Sequence, residues 1–144
     1  MVNSPPRKIT KHRDASLIIL QDSNEKILLQ FRGHHAKVNK NMWGFFGGGI
    51  EEGETAKDAV IREIFEELNY RSSNPTLKLV KTVKWTDLSS TVHIFIETFD
   101  DSQDIRLQEG TRMAWFSVAE ALNLVTKKEM AESDREILLE LFRQ

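Results

Sequence analysis

The chain has 144 residues, 40% hydrophobic and 29% charged, with a formal net charge of -2. That balance excludes a disordered or membrane-embedded chain and fits one domain around one sizeable core. Near-neutral charge offers no field to draw in a nucleic-acid polymer or an anionic membrane, and the lack of cysteine excludes disulfides and thiolate metal sites, which fits a reducing, cytoplasmic compartment.

Residues 1–13, with Pro5 and Pro6, read as a flexible leader ahead of a single domain spanning 14–144. No signal-type apolar region follows them, and no apolar run approaches the roughly 18 residues of a membrane span. Ala15 to Leu20 is a β-branched and aliphatic run that predicts a strand. Gln21 to Glu25 carries turn residues, and Lys26 to Phe31 resumes as a partner strand. Gly33 to Asn41 is a polar loop with His34 and His35, both read as ordinary loop residues. It leads into the aromatic and glycine-rich segment Trp43 to Gly49.

Thr55 to Leu68 has helical spacing, with Val60, Ile61, Ile64, Phe65 and Leu68 as the apolar stripe. Leu77 to Val83 and Thr91 to Phe99 predict two further strands joined by a short polar connection, and Asp100 to Gly110 an acidic loop. Met113 to Phe116 is a short strand. Ser117-x-x-Glu120 then has capping-box spacing for a brief helix, and Ser133-x-x-Glu136 the same spacing for a last helix toward Phe142. Strands and helices mix without regular alternation, which predicts an α/β (α+β) fold with a mixed sheet flanked by helices.

The stretch Gly47-Gly48-Gly49-Ile50-Glu51-Glu52-Gly53-Glu54, followed by the helix containing Arg62-Glu63-Ile64-Phe65-Glu66-Glu67, concentrates acids in one segment. Glu63, Glu66 and Glu67 stand at i, i+3 and i+4, so they share a helix face away from the apolar stripe. Like charges so placed repel and favour a counterion. Clustered oxygen donors suit Mg²⁺, with Mn²⁺ as a substitute, rather than zinc. Glycines 47 to 49 can bring backbone groups close to a ligand. A cation there would let an acidic pocket accept phosphate, and a carboxylate could take the proton of an attacking water. An acidic helix face taken alone reads as merely solvated.

The combination resembles the Nudix box, G-x5-E-x7-R-E-U-x-E-E-x-G-U with U aliphatic. Gly48, Glu54, Arg62, Glu63, Ile64, Glu66 and Glu67 stand at its required positions. Asn69 replaces the final Gly, a tolerable change because Asn adopts the left-handed helix cap next most readily. Tyr70 replaces the aliphatic residue and can be buried if its hydroxyl finds a partner.

The resemblance implies an α/β/α sandwich and divalent-metal hydrolysis of a diphosphate linkage. It implies Glu63, Glu66, Glu67 and the Gly47 carbonyl as metal ligands, and a Glu54–Arg62 pair that holds the loop to the helix with Gly48 as structural support. Glu109, with Trp115 beyond it, matches a Glu before a Trp in MutT-like members, which implies a further carboxylate at the metal or the water, the alternative being a solvated acid of the loop. The catalytic carboxylates are then Glu63, Glu66 and Glu109, with Asp100, Asp101 and Asp104 as weaker candidates. Arg32 is expected at the substrate phosphate or in a surface salt bridge, Phe45 or Trp43 at the base or in the core, and Asp134 at the base edge or simply in the last helix's first turn. The favoured activity is nucleoside triphosphate pyrophosphohydrolysis to monophosphate and pyrophosphate. The alternatives are a nucleotide-sugar or ADP-ribose hydrolase, and a non-catalytic nucleotide-sensing module. The expected partner is a nucleotide-type small molecule, with no nucleic-acid polymer and no membrane; a homodimer is left open.

Overall fold

The computed structural model describes residues 11–12, 14–34, 36, 39–85, 88–108 and 112–143. Residues 1–10 and Arg13 of the expected leader, His35 and Glu109 lie outside the described residues. Among the described residues eight strands form one mixed sheet: β1 (Lys11–His12), β2 (Ala15–Gln21), β3 (Ile27–Phe31), β4 (Trp43–Gly44), β5 (Phe46–Gly49), β6 (Thr76–Trp85), β7 (Leu88–Thr98) and β8 (Arg112–Phe116). The helices are α1 (Ala56–Leu68), α2 (Val118–Thr126) and α3 (Glu132–Phe142).

Consecutive residues of a strand point to opposite faces, so an unbroken apolar run is a strand covered on both sides. In β2 and β3 this produces two cores. Ile18, Leu20, Leu28, Phe46 and Phe95 pack with Val60, Ile64 and Leu68 of α1. Ile19, Ile27, Leu29, Val92 and Ile94 pack on the other side with Ala121, Leu124 and Val125 of α2 and Ile137 and Leu138 of α3. Each such side chain, fully buried, contributes about 1.5–3 kcal/mol, and together they define an α/β/α sandwich. Strand β2 is central. It runs parallel to β7 with Ala15 opposite Val92, and antiparallel to β5 with Ala15 opposite Gly49 and Leu17 opposite Gly47.

The β2–β3 turn closes on Asp22, whose Oδ1 accepts from the amides of Asn24 and Lys26 at 2.8 Å each. Helix α1 starts where Thr55 Oγ1 accepts from the Asp58 amide at 3.0 Å. It stops at Asn69, which adopts the left-handed conformation (φ 59°, ψ 30°) and donates its N–H to the Phe65 carbonyl. At α2 both halves of the capping box form: Glu120 N donates to Ser117 Oγ at 3.0 Å, and Ser117 N to Glu120 Oε1 at 2.8 Å.

Three details are added or corrected by the structure. The glycine segment, given no element above, is a strand, β5, because β2 offers it a free antiparallel edge. Phe65 leaves the apolar stripe: it is 39% exposed, with the Arg71 guanidinium 4.9 Å from its ring centroid. The sheet-facing stripe is already filled by Val60, Ile64 and Leu68 four residues apart. Helix α3 begins at Glu132 behind Ala131 with no side-chain cap, so Ser133 caps nothing. The cause is tertiary: the Trp43 amide donates to the Glu129 carbonyl at 2.8 Å and Trp43 bridges Met130, which sets where the chain enters α3. No helix among the described residues is long and apolar enough to cross a membrane.

Candidate active site

The site starts from two glycines, the first required by the backbone and the second by the seat of a carboxylate. Gly47 has φ +143°, and a Cβ there would lie 2.1 Å from the Ser16 carbonyl oxygen. Gly48 faces α1, and the space its missing side chain leaves holds the Glu63 carboxylate: a Cβ would meet Glu63 Cδ at 2.5 Å. One residue back, the Gly47 amide donates to Glu67 Oε1 at 3.0 Å. Strand β5 therefore lies directly against the acidic face of α1. Ser16, fully buried in β2, reinforces this by donating its hydroxyl to the Ala56 carbonyl at 2.8 Å.

Arg62 organises the rest. Its Nε and Nη2 donate to Glu54 Oε2 and Oε1 at 2.7 and 2.9 Å, a bidentate pair, and Nη2 also donates to the Gly49 carbonyl at 3.1 Å. Nη1 reaches Glu63 Oε2 at 3.0 Å and Glu66 Oε1 at 3.3 Å, with Glu51 at 3.7 Å. Hydrogen bonds from Arg62, then the Glu51 amide, hold the Glu54 carboxyl down at about 2, and the Glu54 bond raises Arg62 in turn. Glu63 is mostly covered, at 17% side-chain exposure, while Glu66 is open to solvent at 56%.

Among the described residues no three of His, Cys, Asp or Glu converge closely enough to hold a metal ion. The reason is visible: Nη1 of Arg62 lies between Glu63 and Glu66, and Glu67 turns to the Gly47 amide. The donors nonetheless fit a hard divalent cation. They are carboxylate oxygens on one helix face, Glu63 is seated in a cradle that any Cβ at Gly48 would fill, and positive charge already stands between two of them.

Behind β2 lies a cavity of about 170 Å³. Its wall includes Ala15 and Leu17, the register partners of Gly49 and Gly47, so the glycine strand runs beside the cavity wall and the thickness of the sheet separates the cavity from α1. Phe45, Val92 and Ile137 supply apolar surface, and Arg32, Asn39, Ser90, Ser133 and Asp134 the polar groups. Burial pushes the Asp134 carboxyl up to about 7, with Arg32 pulling only partly the other way. Arg32, Phe45 and Asp134, 102 residues apart at the extremes, thus share one chamber. Trp43 packs elsewhere, with ring centroids 5.5 Å from Phe31 and 4.9 Å from Phe116.

Ser16, Asn39 and Ser90 were not singled out by sequence. Only Ser16 carries a signal, as the one polar residue inside the apolar run Ala15 to Leu20.

The comparisons with known proteins agree on class. The NUDIX domain family model matches residues 10–141. An uncharacterized Nudix hydrolase, YvcI, of Bacillus subtilis is 31% identical over 125 residues, covering 83% of this chain and 73% of the relative. The chain belongs to the Nudix hydrolase family. It is also 30% identical over 109 residues to the NAD-capped RNA hydrolase NudC of Haemophilus influenzae, covering 74% of this chain but only 40% of that longer protein. The solved MutT Nudix hydrolase of Burkholderia pseudomallei superposes with a TM-score of 0.78 at 20% identity, over 92% of this chain and 99% of that one, and so shares the fold.

Proposed function

We propose that this chain is a Mg²⁺-dependent hydrolase of the diphosphate linkage in a nucleoside diphosphate joined to another group, with nucleoside triphosphates as the favoured substrates. The carrying observation is the back-to-back arrangement at β2: carboxylates of α1 against Gly47 and Gly48 on one face, and a base-sized, mostly apolar cavity on the other. Glu63, Glu66, Glu67 and the Gly47 carbonyl hold the divalent cation, joined by Glu109, which lies outside the described residues. When bound, the ion supplies charge neutralisation for the phosphates and acidity for water.

A carboxylate among Glu63, Glu66 and Glu109 takes the proton as water oxygen bonds to phosphorus. The P–O bond of the anhydride breaks, releasing nucleoside monophosphate and pyrophosphate from a triphosphate. Arg32 contacts phosphate from the cavity rim. Phe45 flanks the base, and Asp134 meets its polar edge. Glu54, Arg62 and Gly48 hold the carboxylate face in place.

The NudC likeness supports a second reading, a diphosphate at an RNA 5′ end. That needs only one nucleotide in the cavity and no basic surface, so the net charge of -2 does not oppose it. Nucleotide sugars and ADP-ribose share the same chemistry.

The test is phosphate and pyrophosphate release with Mg²⁺ across nucleoside triphosphates, ADP-ribose, nucleotide sugars, dinucleotides and 5′-capped RNA, with Glu67→Gln as control. A strong substrate silenced by that substitution supports the reading and selects the class. Folded, metal-binding protein that cleaves nothing in the panel rejects it in favour of a nucleotide-sensing module.

A further inference from the structure

Glu97 in β7 is 7% exposed, yet among the described residues no Lys or Arg forms a salt bridge with it. Its carboxylate is held by neutral donors instead. Tyr70, fully buried, donates to Oε2 at 2.8 Å, while the Ser72 hydroxyl and the Asn74 amide reach Oε1 at 2.6 and 3.0 Å. Burying a carboxylate without a cation is costly, and an apolar pair of similar size would hold a core at least as well. What neutral donors add is direction: each bond fixes one position.

Those positions bear on α1. The Tyr70 hydroxyl also accepts from the Asp100 amide at 3.0 Å, and its ring stacks on Phe99 at 5.5 Å. Gln103 then grips Arg71 from both sides, accepting from its amide at 2.7 Å and donating to its carbonyl at 3.0 Å. Farther on, the Arg106 amide donates to the Leu68 carbonyl at 2.9 Å and the Gln108 amide to the Glu67 carbonyl at 2.8 Å. Residues 100–108 thus form a strap across the carboxyl end of α1, satisfying carbonyls that a helix end otherwise leaves open.

We propose that Tyr70 and Glu97 are positioning residues: their buried pair anchors this strap, and the strap sets the last turn of α1 that carries Glu66 and Glu67. The proposal rests on the metal-binding role assigned above to those two carboxylates.

The deciding variant is Tyr70→Phe with Glu97→Leu, which replaces the polar pair by a packed apolar one. Ser72 and Asn74 are near enough to solvent to take water instead. Three readouts are taken: hydrogen exchange at Arg106 and Gln108 in metal-free protein, calorimetric titration with Mn²⁺ alone, and kinetics on the best panel substrate. Thermal melting confirms the fold.

The expected result is a folded protein whose two amides exchange about tenfold faster or more and whose Mn²⁺ affinity falls about tenfold, the lower end of the range for support groups behind a metal ligand. The kcat should drop about ten- to a hundredfold with KM within about twofold. Glu97→Gln, which keeps the shape but puts an N–H donor where one carboxylate oxygen accepted, should lie between the double variant and the parent in all three. If the double variant does not fold, Tyr70→Phe is read by the same exchange and Mn²⁺ measurements. Parent-like exchange and Mn²⁺ affinity in a folded variant would overturn the proposal. Both measurements need no substrate, so an empty substrate panel would sink the proposed function and still leave the strap decided.

Discussion

The two faces of β2 are built on opposite principles. On the α1 face, carboxylates crowd around one guanidinium, mostly within a sequence span of 20 residues. On the α3 face, one carboxyl and one guanidinium stand in a mostly apolar chamber drawn from β2, β4, β6, β7, α3 and the loop after β3. Charge is tolerated on the first face because it is paired and wet. On the second, burial moves the acid instead, raising Asp134 to about 7. The lesson is a division of labour, with a charge-dense face suited to one reaction and a drier chamber suited to selection.

The largest effect should come from breaking the first face. Glu66→Gln, at a solvent-open position, is expected to lower kcat by about 10²- to 10⁴-fold with no loss of melting temperature. Retained turnover would remove Glu66 from the site.

Gly47→Ala attacks the seam between the faces. With a Cβ 2.1 Å from a backbone oxygen and a forbidden φ, it should cost about 4 kcal/mol or more of unfolding free energy. Urea titration checks this, and a near-neutral result would mean β5 does not pair with β2 as described.

Asp134→Asn sharpens the contrast on the second face. The folded carboxyl titrates near 7, above its ordinary value of 3.8, so its protonated form is the one the fold prefers. Its contribution is therefore fully present below about pH 4 and lost as pH rises toward 7 and beyond. The difference amounts to up to about 4 kcal/mol, less whatever water reaches the group. Between pH 5 and 8 the parent should lose stability relative to Asp134→Asn, and preference among bases should drift with pH only in the parent. Parallel stability curves would place Asp134 in water.

Smallest is Ser117→Ala, which touches neither face. Losing the α2 cap should cost about 1 kcal/mol by thermal melting, with kcat and KM unchanged.

Sequence alone was enough for most of what depends on local repeat. Alternating or unbroken apolar runs marked β2 and β3, and i, i+3, i+4 spacing put Glu63, Glu66 and Glu67 on one side of α1. Asn69 was legible as a left-handed stop because few residues tolerate that conformation. Single-helix and single-strand geometry has a fixed period, so neighbours in space are at fixed separations in sequence.

What needed the tertiary structure was whatever joins distant segments. That includes the glycines becoming a strand edge, Phe65 left outside a stripe already filled, and α3 starting before Ser133 because Trp43 grips the preceding turn. It includes the chamber shared by Arg32, Phe45 and Asp134, and the Glu97 carboxylate waiting for a hydroxyl 27 residues away. Such contacts follow from how two layers close on one sheet, and no spacing along the chain encodes that closure.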